Sequence, residues 1–315
     1  MNRLTVRSDA LLFITALIWG SAFVAQRVGM DYVGPFTFNG VRFALGALIL
    51  LPVVCLRRRA PRNHALWRPG RATLAGGALA GFVLFTGASL QQVGIVYTTA
   101  GNAGFITGLY VVLVPILGTF MGQRTDTGTW IGAVLAVFGL YLLCVSTGLA
   151  VSAGDGLVLA GAFFWAAHVL VIGYFAPKAD SYELAFLQFA ACAVFSLGVA
   201  AFTEPLEIGP IVSGAVPILY GGVMSVGIAY TLQVVGQRHA PSSHAAIILS
   251  LESVFAALGG WLLLQEHLTS RQLAGCSLML MGMIASQLWG ARPSGKTADR
   301  GTDTREPEVP AAKQG

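Results

Sequence analysis

Charge is what this sequence has least of. Of 315 residues only 19 are Lys or Arg and 14 are Asp or Glu, about 10%, where a soluble domain carries about 25%. The shortage deepens once the charges are located. Six fall in 57–71 and nine in 291–315, leaving 18 for the other 275 positions. Too few remain to clothe a water-soluble globule, which excludes a cytosolic enzyme, a secreted domain and a disordered chain. Cysteine is also scarce: Cys55, Cys144, Cys192 and Cys276 all sit inside apolar stretches. That placement excludes a disulfide framework, and the spacing is not that of metal ligands. P-loop, dinucleotide fingerprint, zinc motif and catalytic triad are missing, so ATP drive and hydrolytic chemistry have no support and no cofactor or metal is expected.

What is present is long apolar sequence, 55% of the chain, with 39 glycines. A bilayer core of about 30 Å needs about 20 apolar residues as helix. Ten such segments can be drawn, near 10–30, 36–56, 72–95, 101–122, 128–147, 156–175, 183–202, 211–235, 242–264 and 271–290. The reading is an all-α integral membrane protein of ten transmembrane helices. Loop Lys and Arg orient it. Of the 19, 16 fall on the side of the N-terminus, only Arg27 and Arg271 fall opposite, and Arg42 is intramembrane. Both termini are therefore expected in the cytoplasm, in a bacterial-type inner membrane. The net charge of +5 reads as orientation in the bilayer, not as nucleic-acid binding. The first apolar run reads as a retained span and not a cleaved leader, because its Trp19 has a counterpart later in the chain.

That counterpart belongs to a repeat. The 30 residues from Gly94 align without gaps on the 30 from Gly236, an offset of 142, and ALIW at 16–19 matches AFFW at 162–165. One inserted residue later, Gly132 meets Gly275 and Gly139 meets Gly282. Five spans per half is an odd number, so the second half must enter the membrane inverted relative to the first. Inverted repeats with a binding site at the midplane between them are typical of secondary transporters. The expected divisions are a cytoplasmic N-terminus at 1–9, a first repeat at 10–147, a linker at 148–155, a second repeat at 156–290 and a disordered cytoplasmic tail at 291–315.

Ten spans, the duplication and the phrase LESVFAALGGWLLLQEHLTSRQLAGCSLMLMGM at 251–283 resemble the drug/metabolite transporter superfamily, specifically its EamA-domain families. WGSAFVAQ at 19–26, FTFNGVRFALGALILLP at 36–52 and NAGFITGLYVVLVPIL at 102–117 are similar to its bacterial members. The resemblance covers about 10–290. It implies the fold and a transport function, and it says little of substrate, because the family moves amino acids, sugars, purines and drugs. One departure is that the first half has Arg124 where the second has Glu266.

Intramembrane polar groups supply the candidate site. A charge at the midplane costs at least about 2.5–3.5 kcal/mol on insertion scales, so it needs a partner or a wet cavity. Glu252 lies near the middle of its span, either as a packing carboxyl or as a titrating, substrate-binding one. Its repeat partner is Tyr110. Arg42 either snorkels to the interface or binds a substrate carboxylate. Trp19 and Trp165 are repeat-related and mid-span, so they either pack or line a cavity. His168 either bonds a neighbouring helix or relays protons. Asn39, Asn102, Gln26, Gln91, Gln92 and Gln188 are weaker candidates. The expected substrate-binding set is thus Trp19, Arg42, Tyr110, Trp165 and Glu252, with Glu252 and His168 as candidates for proton coupling.

The functional expectation is a secondary carrier that exports a small metabolite by alternating access. Its partners are a small-molecule substrate and the lipid bilayer, and a homodimer is compatible with the sequence. One acid, one base and two indoles suit an amino acid or similar zwitterion best. A lipophilic cationic drug comes next and phosphorylated compounds last, since only Arg42 could serve them within the membrane. The readings of other classes are a non-transporting membrane scaffold or sensor, and a membrane enzyme, for which the short loops lack clustered acids and histidines.

Overall fold

The computed structural model describes residues 3–59, 70–98, 100–123, 125–144, 152–264 and 269–290. Arg124, Glu266 and the tail at 291–315, along with residues 148–151 of the expected linker, lie outside these residues. Among the described residues every regular element is helical, as a chain that must satisfy its backbone inside lipid requires.

The first half contains α1 (Arg3–Gly29), α2 (Pro35–Arg59), α3 (Arg71–Tyr97), α4 (Ala100–Gly108), α5 (Tyr110–Phe120) and α6 (Thr127–Cys144). The second contains α7 (Ala153–Phe175), α8 (Ser181–Thr203), α9 (Ile208–Ser213), α10 (Ala215–Leu219), a π-helix (Tyr220–Tyr230), α11 (Thr231–Gln237), α12 (Ser242–Leu249), α13 (Glu252–Leu264) and α14 (Ser270–Gly290). Among the described residues seven stretches are long and apolar enough to cross a membrane, and two more, Thr127–Leu143 and Ser242–Leu258, are shorter and apolar.

Three of the expected continuous spans are interrupted. The helix expected at 101–122 breaks at Leu109, and the one at 242–264 breaks at Ser250 and Leu251. These breaks are repeat-matched: the offset of 142 takes Leu109 to Leu251 and Tyr110 to Glu252, so α5 and α13 restart at equivalent residues. The span expected at 211–235 is divided by the 11-residue π-helix, a wide, rare winding that is frequent at functional positions.

Local chemistry fixes the helix starts. Ser152 and Asp155 form a reciprocal capping box at the start of α7, satisfying two amide donors that a helix N-terminus otherwise leaves open. Asp180 accepts from the amides of Tyr182 and Glu183 to start α8. The start of α2 is capped from the other half: Glu204 accepts from Phe36 N at 2.9 Å and Thr37 N at 2.8 Å. Gly122, at φ +76°, turns the chain after α5 in a conformation other residues resist.

The helices of the two halves interleave. The most extensive contact joins α6 and α14, followed by α3 with α7, α2 with α8 and α3 with α8. The first pair runs antiparallel on a seam of four glycines. A Cβ added to Gly139 would lie 2.6 Å from Gly275 O, and one on Gly132 would lie 2.6 Å from Gly282 O. These are the four glycines that the repeat aligned, and they let two backbones touch. Antiparallel packing also joins α2 and α8, where Gly40 meets Leu197 and the rings of Phe43 and Phe189 stand 6.4 Å apart. Contacts of α3 with α7 and α8 recur in the other half as contacts of the π-helix with α1 and α2 and of α11 with α1.

Candidate functional site

Where these elements converge they line a narrow cavity of about 40 Å³, well below the ~300–1,000 Å³ usual for a site that holds a small molecule, so cargo must widen it. Trp19, Ala22, Phe23 and Gln26 line it from α1, Arg42 from α2 and Gln91 from α3. Thr107 of α4, Tyr110 of α5, Trp165 of α7, Ser225 and Tyr230 of the π-helix and Glu252 of α13 complete it. All five residues expected to bind substrate are therefore on one wall or another of the same cavity.

Its polar groups are not equally committed. The indole N–H of Trp165 donates to Gln91 Oε1 at 2.7 Å, and that of Trp19 donates to the carbonyl of Ser225 at 3.3 Å. Both indoles thus act as walls whose donors are used inside the protein. Gln91 Nε2 donates to Gln26 Oε1 at 3.2 Å, Thr107 Oγ1 to Gln91 Oε1 at 3.4 Å, and Gln92 Nε2 to Gln26 O at 3.1 Å. This network ties α1, α3, α4 and α7 into one face.

The charged pair is different. Arg42, 2% exposed, spends only its Nε–H on Asn39 Oδ1 at 3.0 Å, and its guanidinium lies 5.0 Å from the Phe43 ring centre and 5.4 Å from that of Phe38. Glu252, 5% exposed, accepts from Tyr110 Oη at 3.3 Å. Among the described residues neither has an ion-pair partner. A guanidinium and a carboxyl group therefore face one cavity without an ion pair between them. Burial in a low-dielectric wall makes each a costly group until an opposite charge arrives.

His168 does not line the cavity. Its Nε2–H donates to Gln188 Oε1 at 2.8 Å, and its ring lies edge-on to Trp165 at 6.2 Å and Tyr230 at 6.0 Å. It stands behind the cavity wall, one layer removed from Glu252.

A family model for the EamA-like transporter family matches residues 6–145 and again 152–286. The chain belongs to this family. The EamA relatives include an uncharacterized transporter of Archaeoglobus fulgidus, 35% identical over 283 residues, covering 89% of this chain and 86% of the relative. The uncharacterized transporter YoaV of Bacillus subtilis is 22% identical over 85% of this chain and 92% of its own. The uncharacterized inner membrane transporter YedA of Escherichia coli K12 is 28% identical over 163 residues, 49% of each chain. A solved crystal structure matches with a TM-score of 0.74 over 89% of this chain and 96% of that one at 18% identity, which speaks to the fold. Two matches of one EamA model in succession agree with the sequence repeat, and the chain is a multi-pass membrane transporter by family.

Within this EamA fold, the wall residue that sequence reading misses most clearly is Tyr230. It is 4% exposed, and its ring lies 4.5 Å from Trp19, 6.3 Å from Trp165, 5.9 Å from Phe43, 6.2 Å from Phe189 and 6.0 Å from His168. It forms the cavity floor at the last residue of the π-helix. Its one signal in the sequence is a phenol inside the uncharged run 208–237. Gln26 and Gln91, weaker candidates by sequence, prove to be cavity walls as well. Asn39 supports Arg42, and Gln188 holds His168. The side chain of Asn102 is outside the described set.

Proposed function

We propose that this EamA-family member is a secondary carrier that moves amino acids or similar small zwitterions by alternating access, as an exporter and without chemical change to the cargo. The observation that carries the reading is the pairing of Arg42 and Glu252 on one cavity without an ion pair between them. Arg42 receives the substrate carboxylate, with four of its five N–H donors left for a planar acceptor. Glu252, steadied by Tyr110, receives the ammonium. Trp19 and Trp165 form the walls for the aliphatic or aromatic remainder. Glu252 is also the residue we assign to proton coupling; His168 behind the floor is the second candidate.

The reading includes ten spans in two inverted halves, both termini in the cytoplasm of a bacterial-type inner membrane. Antiparallel packing of the repeat-matched pairs α6–α14 and α2–α8 supports the inversion, and the excess of loop Arg and Lys supports the orientation. Half-helices meeting near mid-span, as α4–α5 and α12–α13 do, are the usual way transporters build a midplane site.

One observation favours a second reading. Trp19, Tyr110, Trp165 and Tyr230 bring four aromatic rings to the same cavity as Glu252, a cage suited to a lipophilic cation. The test is flux in proteoliposomes against a panel of amino acids, amines and phosphate esters, with and without a pH gradient. Amino-acid flux supports the proposal and amine-only flux the second reading. Phosphate-ester flux with neither would overturn both.

A further inference from the structure

Away from the cavity, two buried carboxylates occupy equivalent places at opposite ends of the molecule. The match of 16–19 to 162–165 sets an offset of 146 between α1 and α7, which takes Ser8 to Gly154, Asp9 to Asp155 and Leu12 to Val158. Packing repeats this correspondence in detail. A Cβ on Gly94 would meet Val158 Cγ2 at 2.6 Å and Gly154 O at 3.0 Å, while one on Gly236 would meet Leu12 Cγ at 3.0 Å and Ser8 O at 3.2 Å. Gly94 and Gly236 are themselves repeat partners. The two acids thus sit on matching scaffolds, while their partners differ, since the offset of 142 takes Thr98 to Ala240 and Asn102 to His244. Asp155 shares its end with Gln26, since both adjoin the last turns of α3. Asp9 lies 17 residues earlier on α1, about 25 Å away at 1.5 Å per residue.

Asp9 reaches the start of a broken helix, and Asp155 reaches the C-cap residue of α3 that leads into one. Asp155, 8% exposed, accepts a short hydrogen bond from Thr98, two residues before α4. Asp9, 7% exposed, meets His244 Nε2 at 3.0 Å, on the third residue of α12. The same imidazole contacts Ser286 Oγ of α14 through Nδ1 at 2.9 Å. Every residue of α12 is buried, and the helix leads across a two-residue break to Glu252. By repeat position α4 stands to Tyr110 as α12 stands to Glu252. Neither acid lines the cavity; Asp155 also closes the capping box that starts α7, and each carboxylate has the hydrogen-bond partner that burial demands.

We propose that Asp155 and Asp9 are positioning residues for transport: two repeat-related latches, one at each end, that hold α4 and α12 closed over the cavity. Alternating access needs each end to open while the other stays shut, and a duplicated latch on the two half-helices gives each end its own hold. Both latches are engaged in this structure. The inference rests on the carrier reading above, but its test requires no cargo.

The test is sided labelling. In a chain with Cys55, Cys144, Cys192 and Cys276 replaced by Ser, Ser225→Cys places one thiol on the cavity. A membrane-impermeant maleimide is applied to right-side-out and to inverted vesicles. Asp155→Asn should speed labelling about tenfold from the Asp155 end, the effect of losing one charge-assisted hydrogen bond, and Asp9→Asn should do the same from the opposite side. Thr98→Val, which removes the partner of Asp155, and Ser286→Ala, which removes the second hold on the His244 ring that Asp9 meets, should shift labelling in the same directions more weakly. Equal labelling from both sides, or an unchanged rate in monodisperse protein, would overturn the assignment. So would a common loss of folded protein in all four variants, which would make the acids simple staples. Failure of flux with sided labelling intact would instead count against the cargo reading alone.

Discussion

The glycine seam between α6 and α14 offers a prediction whose size can be worked from distances. In Gly139→Ala the new Cβ would sit 2.6 Å from Gly275 O, 2.6 Å from Met279 Cγ and 3.0 Å from Met279 N. Ordinary contact begins near 3.4 Å, so the backbones must part by about 0.8 Å, and a carbonyl oxygen cannot swing aside as a side chain can. A gap of 0.5–1 Å forfeits about a quarter to a half of the dispersion well for the atoms along it, and overpacking of this kind costs about 1–3 kcal/mol. At about 2–4 °C per kcal/mol for larger domains, the melting temperature should fall by about 2–12 °C. Gly198→Ala is the control, because nothing lies within 4 Å of its Cβ position and Ala is the better helix former. Gly139→Ala combined with Gly275→Ala should cost less than the sum of the two, since they force apart the same contact. Fluorescence-detected size exclusion after heating reads all four proteins. A Gly139→Ala protein as stable as Gly198→Ala would refute the close antiparallel packing of this pair.

Three further outcomes follow from the site. Glu252→Gln should fold and insert normally but lose at least tenfold in flux, because the amide keeps the shape and the Tyr110 contact while removing the charge; proteoliposome uptake checks it. Trp165→Phe should weaken transport more than Trp19→Phe, since the Trp165 donor orients Gln91 at 2.7 Å and through it Gln26, whereas the Trp19 donor reaches one backbone carbonyl at 3.3 Å; initial rates over a substrate series separate the two. Tyr230→Ala should open the cavity floor and raise uncoupled leak, whereas Tyr230→Phe should keep the floor, which a dye-leak assay on vesicles distinguishes.

Most of the candidate cavity is legible in the amino-acid sequence, because the cost of charge in lipid makes each intramembrane polar residue conspicuous. Glu252 and Arg42 stand out in this way, and the repeat singles out Tyr110, Trp19 and Trp165 by pairing. The breaks at Leu109 and Leu251 are invisible there for the opposite reason. Hydropathy is blind to winding, and although Gly108 adjoins the first break, LSLESVF has neither Pro nor Gly at the second. Tyr230 does not stand out because a lone phenol in an apolar run is ordinary, and only the convergence of five rings sets it apart. Asp9 and Asp155 lie at the edges of spans, where a carboxylate needs no explanation from sequence. Their equivalence emerges when Gly94 and Gly236 are seen to pack on α7 and α1 in the same way.

The central claim is that the cavity recognises both charges of its cargo at once. Counterflow of one amino acid in proteoliposomes, competed by the same compound lacking its carboxylate and by the same compound lacking its ammonium, tests this directly. The account predicts that only the intact zwitterion competes well, that Arg42→Gln admits the amine, and that Glu252→Gln admits the acid. Equal competition by amine and zwitterion in the wild-type protein would contradict it.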